Sequence, residues 1–183
     1  IINYVDLLGK EKPENEKMRE YIDVLQRQSA RLKKLIDDLL EASKASTGNL
    51  TVNAEPCDVG VLLDQTLGEY GEKLSAAGLE PVLTKPEKPV IIMADGRHMW
   101  RIFDNLLNNI CKYSQRGTRV YLEVCERDGK AVVTFRNISS RQLNISSDEL
   151  MERFVRGDSS RNTEGSGLGL NIAQSLAQLQ KGT

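Results

Sequence analysis

From Glu14 to Ala45 the chain repeats apolar residues at helical spacing, and no other stretch limits the fold as strongly. Met18, Tyr21, Leu25, Gln28, Leu32, Leu35 and Leu39 fall alternately three and four apart, the period of a helix-packing seam. Ile22, Ile36 and Leu40 widen that seam to a face, while Lys17, Glu20, Arg27, Lys34 and Glu41 make the opposite side polar and solvated. Ahead of it, Ile1, Ile2, Val5, Leu7 and Leu8 begin another apolar pattern, with Gly9 suited to a stop and Pro13 to a restart. So short a stub cannot cover the long stripe. Residues 1–45 are therefore expected to form a helical hairpin that meets a second copy in a dimeric four-helix bundle. The alternative is a hairpin packed on the chain's own globular domain.

The composition then changes. "ASTGNLTVNAEP" is small, polar and turn-forming, with Gly48-Asn49 as a turn, and residues 46–54 read as a linker. Residues 55–183 read as a two-layer α/β sandwich, which makes the whole an α+β protein. Asp58 is expected to cap a helix running to about Ala77, and Asp95 a second helix, "GRHMWRIFDNLLNNICKYS". "LEPVLTK" and "PVIIMA" read as short strands. "TRVYLEVCER" and "KAVVTFRN" read as a hairpin turned at Asp128-Gly129. A long polar loop, a glycine run and a last helix follow.

Bulk composition excludes several functions. With 25 basic against 26 acidic residues there is no basic footprint for nucleic acid. The single histidine, His98, and three cysteines without CxxC spacing give no metal cluster, and Cys111 and Cys125 read as buried thiols of a reducing compartment. No apolar run is long enough to span a membrane. "IINYVDLLGK" opens inside an amphipathic pattern, without Met or a cap, and is expected to be a piece of a longer chain. The last helix ends at "LQKGT" with no strand after it, so a terminal hairpin is expected to be missing.

Two features carry chemistry. Asn105 and Asn109 stand four apart on one helix and stack one turn above the other, with Lys112 and Tyr113 a turn further on. Asn is a mediocre helix former, so Asn105, Asn108 and Asn109 together call for a compensating role. A neutral amide oxygen can ligate Mg²⁺ beside a triphosphate without adding negative charge. Gly165, Gly167 and Gly169, with Leu168 and Leu170 among them, precede the last helix. A loop of that kind lets backbone N–H groups close on a phosphate at a helix start. The spacing fits neither a P-loop nor a dinucleotide fingerprint.

"DGRHMWRIFDNLLNNICKYS", "ELMERFVRGDSSR" and "GSGLGLNIAQSLAQLQ" resemble, in order, the N, F and G2 boxes of bacterial sensor histidine kinases. "IINYVDLL", followed by the helix ending "LIDDLLEASKASTGNL", resembles the dimerisation and phosphotransfer hairpin of the same family. The resemblance implies ATP and Mg²⁺ bound between the asparagine helix and a lid. Asn109, with Asn105, would hold the Mg²⁺–triphosphate; Lys112 and Tyr113 would line its phosphate and ribose side. Phe154 would anchor the lid, Arg156 and Arg161 would reach the phosphates, and the glycines would form the lid hinge. It further implies γ-phosphate transfer to a histidine and relay to the receiver domain of a response regulator. The parent would carry an upstream sensor region in a bacterial inner membrane, with this part cytoplasmic.

The chain departs from the family pattern in three places. Asn137 of "NISS" stands where the family has the aspartate that meets adenine, and Ser139 replaces a glycine; an Asn carbonyl still accepts a hydrogen bond. Ile110 replaces a small residue and is expected to crowd the site. The family's acceptor histidine falls ahead of Ile1, and His98 lies in no such context. Two other readings stay open: a nucleotide-binding pseudokinase scaffold, and a gyrase- or chaperone-type ATPase.

Overall fold

The computed structural model describes Asn3, Val5 and Leu8, residues 16–47, residues 50–142 and residues 167–183. Asn3, Val5 and Leu8 are helical, and Val5 is buried. Helix α1 (Glu16–Ser46) is the long helix of the seam. Its seam is open: Met18, Tyr21, Leu25, Leu32 and Leu39 are all exposed, Tyr21 by 64%. Ile22, Ser29, Asp38, Ala42 and Ala45 are its buried positions. Lys17, Glu20, Arg27 and Lys34 are solvated as expected. Glu41 is not, because it turns onto the following domain and accepts a hydrogen bond from Arg101.

The α/β part runs β1 (Glu55–Asp58), α2 (Val59–Ala76), β2 (Leu79–Thr84), β3 (Ile91–Ala94), α3 (Gly96–Tyr113), β4 (Thr118–Arg127), β5 (Lys130–Arg136) and α4 (Gly169–Leu179). Strand β1 pairs antiparallel with β3, from Glu55 opposite Ala94 to Asp58 opposite Ile91. The larger sheet has the order β2-β4-β5, with β2 parallel to β4 and β4 antiparallel to β5. Asp128 and Gly129 turn the β4–β5 hairpin at φ 51° and 70°, the left-handed pair that such a tight turn requires.

Strand β4 shows why the sandwich has two layers. Val120, Leu122 and Val124 are buried while Arg119 and Tyr121 face water, the period-2 alternation of a sheet covered on one side. Against them pack Leu63, Tyr70 and Leu74 of α2 and Phe103, Leu107 and Ile110 of α3. The Phe103 and Phe135 rings meet at 5.8 Å between centroids, tilted by 45°. Cys125, in the outward phase of β4, and Cys111 are half-buried rather than buried. Ile110 joins this core, which removes it from the place where it was expected to crowd a ligand.

Candidate functional site

Helix α3 carries the asparagines, and its start is fixed from three directions. The Asp95 carboxylate accepts the N–H groups of Arg97 (3.0 Å) and His98 (3.4 Å) as the N-cap, and that of Asn53 (3.0 Å) from the linker. Its own N–H donates to Gln180 Oε1 at 2.7 Å, which ties the end of α4 to the start of α3. Burial alone would raise this carboxyl, but the hydrogen bonds from Asn53 and Arg97 and the nearby His98 bring it down to about 2. His98 Nε2, in the tautomer that carries the proton there, donates to the Thr51 carbonyl at 3.1 Å. This histidine is a clasp on the linker.

The three asparagines differ in what they do. Asn105 is buried, and its Nδ2 donates to the Arg101 carbonyl at 2.9 Å. Asn108 Nδ2 points to Asp104 Oδ1 at 3.4 Å. Asn109 is half-buried, and its side-chain amide makes no hydrogen bond among the described residues. Lys112 is exposed and Tyr113 half-buried at the same end of the helix.

Helix α4 crosses α3 at Asn105. A Cβ on Gly169 would lie 3.2 Å from Asn105 Oδ1, so a glycine at this position permits the close approach. Gly167 holds φ at +73°, a left-handed conformation that side chains resist. Leu168 precedes α4 without a side-chain cap, so the first turn's N–H groups are left to main chain, water or ligand. Its own side chain is 1% exposed, packed with Ile172 and Leu176 against Ala42 and Ala45 of α1. Leu168 can therefore serve a ligand through its backbone alone. Leu170 is half-buried.

The "NISS" segment is strapped to the other end of α3. Asn137 Nδ2 donates to Ser114 Oγ at 2.9 Å, Ser139 bridges to Ser114, and the Ser140 N–H donates to the Tyr113 carbonyl at 2.8 Å. Asn137 thus lies beside Tyr113, with its Oδ1 free of that bond. Phe154, Arg156, Arg161 and Gly165 lie outside the described residues. The structure brings together Asn105 with Gly169, and Asn137 with the Tyr113 end of α3.

Sequence reasoning missed a charged cluster one turn before the asparagines on α3. Arg101 donates to Asp38, Glu41 and Asp104, and Tyr70 donates its hydroxyl to Asp104. Burial, then the bond to Asp104, pushes the Tyr70 hydroxyl well above its ordinary range. The spacing of Arg101 to Asp104 was visible as an i,i+3 pair; its link to α1, some sixty residues away, was not.

Comparison with known proteins accounts for both halves. Residues 94–183 match the family model described as histidine kinase-, DNA gyrase B- and HSP90-like ATPase, and residues 1–48 match the His Kinase A (phospho-acceptor) domain. Those 48 residues contain no histidine. The signal transduction histidine-protein kinase BaeS of Escherichia coli (strain K12) is 30% identical over 165 residues, covering 89% of this chain and 35% of BaeS. Full-length ShkA in complex with AMPPNP superposes with a TM-score of 0.80 at 22% identity, over 98% of this chain and 37% of ShkA. The histidine kinase ThkA in complex with the response regulator protein TrrA gives a TM-score of 0.66 at 15% identity, over 98% of this chain and 50% of ThkA. The chain spans 30% to 49% of the length of the curated relatives it matches. A gyrase-type protein would not account for the phospho-acceptor match ahead of the ATPase-type match. With both modules present in this order, the chain belongs to the bacterial two-component sensor histidine kinases.

Proposed function

We propose that this chain is the kinase core of its parent sensor: it binds Mg²⁺–ATP in the α/β domain for transfer of the γ-phosphate to a histidine of the helical module, and relays it to an aspartate of a response regulator. The observation that carries this reading is the division of labour on α3. Asn105 is committed to the crossing with Gly169, while Asn109, one turn on, has an amide that makes no hydrogen bond among the described residues. An uncharged oxygen donor beside a lysine suits an ion that keeps few protein ligands and takes the rest from water and phosphate. Asn109, with Asn105 behind it, would hold Mg²⁺, which when bound neutralises phosphate charge. Lys112 would add positive charge, Tyr113 would flank the ribose and Asn137 would accept from adenine. Phe154, Arg156, Arg161 and Gly165 would belong to the lid, and Gly167 and Gly169 would present the first N–H groups of α4. Phosphoryl transfer asks little covalent chemistry of a protein, so positioning and charge are the contribution expected of these residues.

The open seam of α1 supports homodimerisation through residues 1–45, which would remove Tyr21, Leu25 and Leu32 from water. The ThkA complex supports a receiver domain as the further partner. Among the described residues no helix is long and apolar enough to cross a membrane. The need for ATP assigns this part to the cytoplasm of a membrane-anchored bacterial parent with an upstream sensor region.

The test is calorimetric binding of a non-hydrolysable ATP analogue with Mg²⁺ and with chelator, repeated on Asn109→Ala. Mg²⁺-assisted binding that the substitution weakens at least tenfold supports the site, about 1.4 kcal/mol of lost interaction. Binding indifferent to both the ion and Asn109 would refute the assignment. Complete absence of binding would favour the pseudokinase scaffold, which Ser139 in place of glycine already suggests. Phosphate transfer is then read as acid-labile label on a chain extended to include an acceptor histidine ahead of Ile1.

A further inference from the structure

The Arg101 guanidinium joins the two modules. Its Nη2 donates to Asp38 Oδ1 at 2.7 Å and its Nε to Glu41 Oε2 at 2.9 Å, both on α1. Its Nη1 donates to Asp104 Oδ2 at 3.1 Å on its own helix. Asp38 and Asp104 are buried, and the Arg101 side chain is 21% exposed. The same residue's carbonyl accepts Asn105 Nδ2, and Asn105 Oδ1 abuts Gly169. One continuous set of contacts therefore runs from α1 through Arg101 to the crossing of α3 and α4.

Three carboxylates share one cation here, and they are not equivalent. Arg101 with Asp104 is already a neutral pair inside the α/β domain, completed by the Tyr70 hydroxyl. Docking α1 brings two more negative charges out of water onto it. Such a contact is favourable while each acceptor receives its own N–H, and it loses that advantage when geometry slips. The apolar remainder of the joint offers little on the α1 side, where the buried groups are Ala42 and Ala45. A cleft of about 700 Å³, lined by Glu41, Leu50, Thr51, Trp100 and Arg101 among others, gives solvent ions access to the pair. Asp38 and Glu41 are three apart on one helix face, so a turn or shift of α1 disengages both together.

We infer that Arg101 is an interdomain latch: engaged, it seats the ATPase-type domain on the last turns of α1 and positions Asn105 through its own carbonyl; released, it leaves the Arg101–Asp104–Tyr70 set intact within a free domain. The latch stands on geometry alone, while its effect on ligand rests on the nucleotide reading above.

The experiment measures distances between spin labels introduced at Ala30 on α1 and Lys88 on the α/β domain, both exposed. The wild-type chain in low salt should give one narrow distribution. Asp38→Asn/Glu41→Gln should replace it with a broad, longer one, and salt near 1 M should shift the wild type the same way. Thermal unfolding of the α/β domain should not change, since the variant keeps Arg101 with Asp104. Arg101→Lys retains the charge but not the three-way fork, and should release the domain in part. An unaltered distance distribution in the double variant overturns the latch. In a parallel titration with the ATP analogue, the double variant should bind severalfold differently from wild type, and equal affinity overturns the coupling through Asn105. If neither protein binds the analogue, the nucleotide reading fails while the distance result still decides the latch.

Discussion

The core of the α/β domain and the joint between that domain and α1 are built from different materials, although α3 serves both. In the core, Phe103, Leu107 and Ile110 of α3 meet Leu63, Tyr70 and Leu74 of α2 and the inward residues of β4. In the joint, Leu168, just ahead of α4, and Ile172 and Leu176 of α4 meet Ala42 and Ala45, with Leu50 and Ile102 at the margin and Arg101 beside them. The core gains from area: large side chains leave water, and ionic screening does not weaken that gain. The joint has small groups on one side and relies on a charged fork whose acceptors all lie within 3.1 Å. A contact of that kind is specific in geometry and modest in net strength. One helix thus divides stability from docking between its faces, and substitutions on the two faces should separate the two properties.

The largest effect is expected from the core face. Leu107 is fully buried, and Leu107→Ala should cost about 2–5 kcal/mol through lost transfer energy and the cavity left behind. Denaturant unfolding followed by circular dichroism would report it, and the joint should be lost only together with the domain. If Leu107→Ala undocked the domain from α1 while leaving its unfolding midpoint in place, the division of faces would be wrong. Next comes the residue that links the two regions. Tyr70 is buried in the core, and its hydroxyl donates to the carboxylate and the carbonyl of Asp104. Tyr70→Phe keeps the ring but leaves a buried carboxylate one donor short, at about 1–3 kcal/mol. The same denaturation assay would show it, with Asp104→Asn as the second leg of a double-mutant cycle in which the two losses should not add.

How much of this was legible beforehand follows the range of each signal. The caps Asp58 and Asp95 act on N–H groups two or three residues away, and both helices start where they were expected. The Asp128-Gly129 turn is likewise local, since it needs two left-handed residues and nothing else. Strand β1 was missed because Glu55–Asp58 has no alternation of its own; its partner β3 is more than thirty residues on. The parallel pairing of β2 with β4 was beyond reach for the same reason. In the candidate site, the asparagine spacing was readable from one helix. That Asn105 rather than Asn109 is spent on the Gly169 crossing depends on where α4 lies. Glu41 was assigned to a solvated face because helical periodicity reports which residues share a side, not what that side meets.

A smaller effect should appear on acidification. Asp95 is held at about 2, below its ordinary value of 3.8, by the N–H groups it accepts and the charges nearby. A carboxyl depressed in the folded state contributes stability that is present above its unfolded value and lost as pH falls through the folded one. The contribution should therefore be complete above about pH 4 and decline toward pH 2, by about 1–2 kcal/mol. Unfolding curves for wild type and Asp95→Asn should converge over that window. A constant gap down to pH 2 would mean that Asp95 is not the group responsible.

The smallest effect on stability should come from Gly169→Ala, and it is the most informative about the site. At the start of α4 alanine is the better helix former, by up to about 1 kcal/mol. Against this, the new Cβ would meet Asn105 Oδ1 at 3.2 Å. The amide cannot simply swing away, because its Nδ2 is tied to the Arg101 carbonyl at 2.9 Å. The two effects oppose each other, so the net change should stay within about 0.5 kcal/mol, as for substitutions that remove no core contact. What does change is the separation of α3 and α4 at their crossing, by a few tenths of an ångström. Analogue binding should weaken severalfold at nearly constant unfolding midpoint if the crossing sets how Asn109 and the first N–H groups of α4 face one phosphate chain. Unchanged affinity would show that α3 and α4 tolerate separation, and that Asn105 serves packing alone.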